Sequence, residues 1–264
     1  MVDKDRFVHT CEKIMSTERG RAGIGTLGEK TLHAVLKHYY EPDEHKHEIK
    51  VHGFVADIHG DSGIVEIQTR NFDKLRRKLE KFLEFSPVML IFPIPRTKWI
   101  YWIDGGTGEI SDKRKSPKKG TPYQAYFELY KIKQLLPHQN LKICIVLLDV
   151  EEYRNLDGWS IDRKKGSSRY ERIPIDIIDE IFIDDVMDYC RLFPDNLPSD
   201  FTAKDFKRAS GLSLKNTQTA LNILNYLQFV ERKGKIGNAF VYSLADYSCN
   251  CHHPRGFISP ESVV

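Results

Sequence analysis

The chain has 264 residues, 41% of them hydrophobic and 29% charged, with a formal net charge of +3. That is enough for two domains or one large one, and ordinary for a packed globular protein rather than a disordered or polycationic chain. No run of about 18 apolar residues exists, and residues 1–6 lead into polar sequence without an apolar signal core, so neither a membrane span nor secretion is expected.

The five cysteines, Cys11, Cys144, Cys190, Cys249 and Cys251, are odd in number and include one close pair. They suit free thiols in a reducing cytoplasm better than a disulfide framework. Positive charge is uneven. Lys113, Arg114, Lys115, Lys118 and Lys119 fall in one stretch, Arg163, Lys164, Lys165, Arg169 and Arg172 in a second, and Arg232, Lys233 and Lys235 in a third. Such clusters either bind phosphates on one face of a nearly neutral chain or are plain solvated loops.

Taken in chain order, residues 5–18 read as a short helix and residues 19–25 as a glycine-rich break. Residues 26–40 read as a second helix, with Leu27, Thr31, Ala34, Val35 and His38 near one face, ended by Pro42 and Asp43. Strands are expected over 48–51, 54–59 and 64–69, the last two joined by Gly60-Asp61-Ser62-Gly63. Asn71 is placed to cap a helix over 72–85, whose Leu75, Leu79, Phe82 and Leu83 share one side. The continuous apolar run 88–95 reads as a buried strand. Residues 98–104 read as a further aromatic strand, 111–120 as a basic loop, 122–136 as a helix and 141–149 as another buried strand. Residues 154–173, rich in glycine and charge, read as an exposed linker.

The chemistry sits in the hairpin at 54–69. Residues two apart on a strand share a face. If Ala56, Ile58, Val65 and Ile67 face the core, then Asp57, Glu66 and Gln68 converge on the other side. Two adjacent carboxylates repel each other, and a divalent cation removes that penalty. Hard Mg²⁺ prefers carboxylate oxygens and keeps several waters. The plainer alternative is the polar outer face of an ordinary half-exposed hairpin.

Asp57 followed by Glu66-Ile67-Gln68 resembles the D…(D/E)-x-K core of the PD-(D/E)XK nuclease superfamily. Glu29, in Gly28-Glu29-Lys30, matches the helix-borne glutamate that many members carry ahead of that core. The order of elements matches too, over residues 20–95 and onward to about 150. The resemblance implies a restriction-endonuclease-like α/β fold, with a mixed central sheet flanked by helices. It also implies a metal-dependent DNA endonuclease that hydrolyses phosphodiester bonds with Mg²⁺ or Mn²⁺. Asp57 and Glu66 would bind the metal with help from the Ile67 backbone carbonyl, and Glu29 and Gln68 would complete the catalytic set. The family's lysine position holds Gln68, whose amide orients water but supplies no positive charge. Arg70, Lys74 and Arg76 are close enough in sequence to supply it. Asp57 follows Ala56 rather than proline. Arg19, Arg21 and Arg70 are candidate phosphate clamps. Cutting of two strands by analogy implies a homodimer.

The C-terminal part points to nucleic acid independently. Ser199 or Thr202 can cap a short helix over 203–209, Gly211 makes a turn, and Ser213 can cap a helix over 214–227. A basic hairpin follows over 229–244. This resembles a winged helix over 174–247, with a helix at 176–190 as its first member. Lys215, Asn216, Gln218, Thr219 and Asn222 on the second helix suit phosphate contact and base-edge reading, and Lys233 and Lys235 on the wing suit an adjacent phosphate. A protein-binding winged helix is the alternative.

Other features read more plainly. Cys249, Cys251, His252 and His253 crowd too closely to wrap one zinc ion and fit a flexible tail at 248–264. His33, His38, His45, His47 and His52 read as core-edge or surface residues. Trp99, Tyr101 and Trp102 could stack on bases but are commoner as core aromatics. Gly23-Ile24-Gly25-Thr26-Leu27-Gly28 imitates a dinucleotide fingerprint without a preceding strand and is set aside.

The expected organisation is a nuclease-like domain at 1–153, a basic linker at 154–173 and a winged helix at 174–247. DNA is the expected partner, and the cytoplasm the expected location. A non-catalytic DNA-binding regulator on a degenerate nuclease fold is the second reading, and RNA as substrate a third.

Overall fold

The computed structural model describes residues 2–19, 31–159 and 165–245. Helices α1 (Lys4–Arg19) and α2 (Thr31–Tyr40) open the chain. Their buried residues Phe7, Cys11 and Ile14, then Leu32, Val35, Leu36 and Tyr39, recur at the three-to-four spacing of one helix face. Strands β1 (His47–Val51), β2 (Phe54–Gly60) and β3 (Gly63–Ile67) follow, then helix α3 (Phe72–Leu83) and strand β4 (Val88–Ile103). Next come the short β5 (Arg114–Lys115), helix α4 (Ala125–Leu129), β6 (Leu141–Trp159) and β7 (Lys165–Ile183).

These strands form one seven-stranded mixed sheet in the order β1-β2-β3-β4-β6-β7, with β5 paired to β4. The β3–β4 and β4–β6 pairs are parallel and the others antiparallel. Helices α1 and α2 pack with Ile67, Ile91, Cys144, Val146 and Leu148 on one face of the sheet. Helices α3 and α4 pack with Ile64, Leu90, Phe92, Ile143, Ile145 and Leu147 on the other. Coverage on both faces explains why the first halves of β4 and β6 are continuous apolar runs. Beyond Pro95 and Val150 the helical cover ends and the same strands become largely half-buried.

Several expectations change here. Residues 98–104 are the distal half of β4 rather than a separate strand. Most of 154–173, expected as a linker, belongs to the distal half of the β6–β7 ladder. The helix expected at 176–190 is instead strand through Ile183, followed by a 3-10 turn at Met187–Leu192. Asn71 sits at the start of α3 in a left-handed conformation and makes no side-chain cap. The buried carboxylate of Glu128 accepts from the Phe72 amide at 2.9 Å instead, placing negative charge at the positive end of the helix.

The C-terminal segment contains β8 (Asp200–Thr202), α5 (Ala203–Ser210), α6 (Leu214–Tyr226), β9 (Val230–Ile236) and β10 (Ala239–Leu244). Its strands form a second sheet in the order β8-β10-β9. Thr202 and Asp205 form a capping box on α5, Gly211 ends that helix in the left-handed region, and Ser213 caps α6. Phe201, Phe206, Leu221, Leu224 and Phe229 belong to the same buried cluster as α3 and α4, so the segment shares the core of the large sheet.

Candidate active site

The β2–β3 hairpin builds the centre of the site. Its register sets Ile58 opposite Val65 and His59 opposite Ile64, which brings Asp57 beside Glu66. The Asp57 amide donates to Glu66 Oε1 at 3.3 Å, and the Ile67 amide donates to Asp57 Oδ2 at 2.7 Å. Ala56, Ile58 and Ile67 are buried and Val65 half-buried, but they do not share one core face: Ala56 packs with the α3–α4 cluster and Ile67 with the α1–α2 cluster. Of the residues that alternate with these, those of β3 are covered, with Ile64 1% and Glu66 2% exposed, while Val55 and His59 of β2 are exposed.

Two side chains from the flanking helices complete the cluster. Nε2 of His33, on α2, lies 3.1 Å from Asp57 Oδ2, and Lys78, on α3, donates to Glu66 Oε2 at 2.6 Å. Each carboxylate thus gains a nitrogen partner from a different layer of the fold. Burial alone would raise the Asp57 carboxyl, but the His33 hydrogen bond and charge, the Ile67 amide and Lys78 outweigh it and hold it below the usual aspartate range. Glu66 moves the other way. Burial and then the Asp57 charge push it up to about 7, against the pull of Lys78 and the Asp57 amide. The result is an asymmetric pair, with Asp57 charged and Glu66 ready to hold a proton.

The pair opens into a cleft of about 310 Å³, lined by His33, Gln68, Arg70 and Lys78 on one side and Arg169, Glu171 and Arg172 of β7 on the other. Gln68 reaches the cleft, but its amide donates to the Arg70 carbonyl. Arg76 turns away to the Lys131 carbonyl, and Lys74 is exposed and does not line the cleft. Glu29 and Arg21 lie outside the described residues, as do the side chain of Arg19 and the tail at 248–264.

Divalent-metal chemistry fits the donors present, within limits. Two carboxylates share a desolvated corner, where burial first and the Asp57 charge second raise the Glu66 carboxyl, and a cation offsets both. No group of three or more His, Cys, Asp or Glu ligands occurs among the described residues. The two donors present are carboxylate oxygens, which suit Mg²⁺ or Mn²⁺ better than a closed zinc site.

A family described as a domain of unknown function, DUF8091, matches residues 30–184, more than half of the chain. The chain belongs to the DUF8091 family. Its matched segment begins just before α2 and ends just after β7, so it contains His33, Asp57, Glu66, Lys78, Arg169 and Arg172 and stops short of β8. An uncharacterized protein of Treponema pallidum (strain Nichols) is 35% identical over 150 residues, covering 56% of this chain and 57% of that protein. The chain thus spans little more than half the length of that relative. No solved structure matches.

The other nucleic-acid candidates lie outside this cleft. Lys215 and Gln218 are exposed on α6, Asn216 is half-buried, and the Thr219 hydroxyl donates to the Lys215 carbonyl at 3.1 Å. Asn222 does not face a groove. Lys133 donates to its side-chain oxygen at 3.1 Å and also lies over the Tyr226 ring, tying α6 to the turn after α4. On the β9–β10 hairpin Lys233 pairs with Glu231, and Lys235 lies 4.8 Å over the Phe240 ring.

Sequence reading missed His33, Lys78, Arg169 and Arg172 as site residues. Lys78 falls three after Leu75 and four before Phe82, at the edge of the buried stripe of α3, and that position could have marked it. The arginines were visible only as a basic cluster, because nothing local says that β7, separated from β3 by β4 and β6 in the sheet, lines the same cleft.

Proposed function

We propose that the DUF8091 segment is a metal-dependent nuclease that hydrolyses phosphodiester bonds, with DNA as its substrate. The observation that carries this reading is the meeting of Asp57, Glu66 and Lys78 in one cleft walled by arginines. A restriction-endonuclease-like arrangement accounts for it: a helix, a hairpin bearing the acids, a helix and two parallel buried strands. The family lysine absent from position 68 has a counterpart in Lys78, which reaches the same carboxylate from α3. A divalent cation held by Asp57 and Glu66 would supply Lewis-acid charge neutralisation and a more acidic water.

The chain's own groups do the rest. Lys78 offsets negative charge beside Glu66, and His33 fixes the Asp57 carboxylate. Glu66, fixed by Lys78 and the Asp57 amide, would present its carboxylate to the cation as a ligand. Arg70, Arg169 and Arg172 offer guanidinium forks to phosphate oxygens. The C-terminal segment, read as a winged helix, adds Lys215 and Gln218 at the start of α6 and the wing residue Lys235 as a second contact to the duplex.

The test is cleavage of supercoiled, linear and branched DNA with Mg²⁺, Mn²⁺ or EDTA, comparing wild type with Glu66→Ala. Cation-dependent cutting is expected in the wild type, with at least a hundredfold loss in the variant. Salt-sensitive DNA binding without cutting would instead favour a regulator built on an inactive nuclease fold.

A further inference from the structure

The cleft does not end at the carboxylate pair. Along β6 the even-numbered residues Cys144, Val146, Leu148 and Val150 lie under α1 and α2. By alternation Glu152 and Arg154 continue that face beyond the helices. The register pairs Ile100, Glu152 and Arg172 across one rung, and Trp102, Arg154 and Arg169 across the next. Cross-strand partners share a face, so these cations stand in rows on the side of the sheet that carries the cleft.

Glu152 organises the rows. It is fully buried, and each of its oxygens takes one guanidinium: Arg154 Nε donates to Oε1 and Arg172 Nε to Oε2, both at 2.7 Å. These two bonds hold the Glu152 carboxyl down to about 2, although burial alone would raise it. Arg70 and Arg169 make no ion pair among the described residues, although both line the cleft with Arg172. The crowding leaves its mark on Arg169. Although the residue is exposed to solvent, desolvation by neighbouring protein first, then the charge of Arg172 and, against Glu152, those of Arg70 and Arg154 hold it below its ordinary value. Lys98, near the same rows, is lowered by burial and then by Arg172 and Arg154, against Glu152. Beside the Asp57–His33 and Glu66–Lys78 pairs, five further cations (Arg70, Lys98, Arg154, Arg169 and Arg172) thus face two further carboxylates, Glu152 and Glu171, an excess that a bound anion relieves. Rows spread over adjacent strands about 4.8 Å apart match a linear polyanion better than one isolated phosphate.

We infer that this wall of β6 and β7 is a phosphate track. Arg70, Arg169 and Arg172 hold backbone phosphates of a nucleic-acid strand next to the one at Asp57 and Glu66, and Glu152 is the positioning residue that fixes Arg172 and Arg154. The inference rests on the nuclease reading and adds where the strand runs.

The test is fluorescence anisotropy of a labelled oligonucleotide in EDTA over a range of salt concentrations. The variants are Arg169→Ala, Arg172→Ala and Glu152→Gln, with Lys142→Ala as a charge-matched control at the opposite end of β6. Each arginine variant is expected to weaken binding about tenfold and to reduce the salt slope by about 1. Glu152→Gln should weaken binding while circular dichroism stays unchanged, and Lys142→Ala should bind as the wild type does. Wild-type affinity and slope in both arginine variants would overturn the track while leaving cleavage at Asp57 and Glu66 standing. Absence of binding by the wild type itself, with no cutting, would overturn the nuclease reading and the track together.

Discussion

Asp57 and Glu66 are chemically similar side chains held in opposite states by their neighbours, and their titration makes that difference measurable. Folded Glu66 keeps its proton up to about pH 7, whereas an ordinary glutamate releases it near 4.5. Between those values the folded chain binds the extra proton, so this group's stabilising contribution is full below 4.5 and declines as pH rises towards 7. Asp57 acts in the other direction: its lowered carboxyl stabilises the fold above the ordinary value of 3.8, and that contribution is lost as pH falls through its folded value. Urea denaturation of wild type and Glu66→Gln between pH 4.5 and 7 should therefore show a downward slope in the wild type that is shallower in the variant. Parallel curves would mean that Glu66 titrates normally. The alternation of residues 54–69 makes Asp57 and Glu66 legible as neighbours in the sequence itself. His33 and Lys78 are not legible in the same way, because the contacts that give them meaning come from helices in different layers.

At the scale of elements, the β2–β3 turn sets the position of both acids. Gly63 has φ +118°, and a Cβ there would meet the Pro87 carbonyl oxygen at 2.4 Å. The same carbonyl accepts from the Ile64 amide at 2.9 Å, so the close approach joins the hairpin to the start of β4. Gly63→Ala is expected to cost about 1–3 kcal/mol, seen as a lowered urea midpoint. An unchanged midpoint would show that the turn adjusts freely. The hairpin and the two buried strands can be read from local pattern because both signals are short-range. The distal β6–β7 ladder cannot. Its glycines and charges have the composition of a loop, and only the register along β4 and β6 holds them as strand. The segment at 176–190 misleads for a related reason: Ile177 and Ile181, four apart, fit a helix face, and pairing with β6 makes them strand residues instead, on opposite faces of the sheet across a bulge.

For the whole molecule, one sheet with helices on both faces brings α2, the β2–β3 hairpin, α3 and β7 to a single cleft, although they span residues 31 to 183. The C-terminal helices are legible in sequence because Thr202, Gly211 and Ser213 are strong end signals. Their sharing of the core with α4, and the hydrogen bond from Lys133 to Asn222, depend on contacts between distant segments. In the proposed nuclease, Lys78 completes a hydrolytic site whose motif position carries Gln68. That role is tested most directly by the Mg²⁺-dependent DNA cleavage rate of Lys78→Met beside that of the Lys78→Met/Gln68→Lys double variant, with folding checked by circular dichroism. The account predicts at least a hundredfold loss in the single variant and partial recovery when the lysine is returned to position 68. A folded Lys78→Met protein that cuts DNA at the wild-type rate would contradict it.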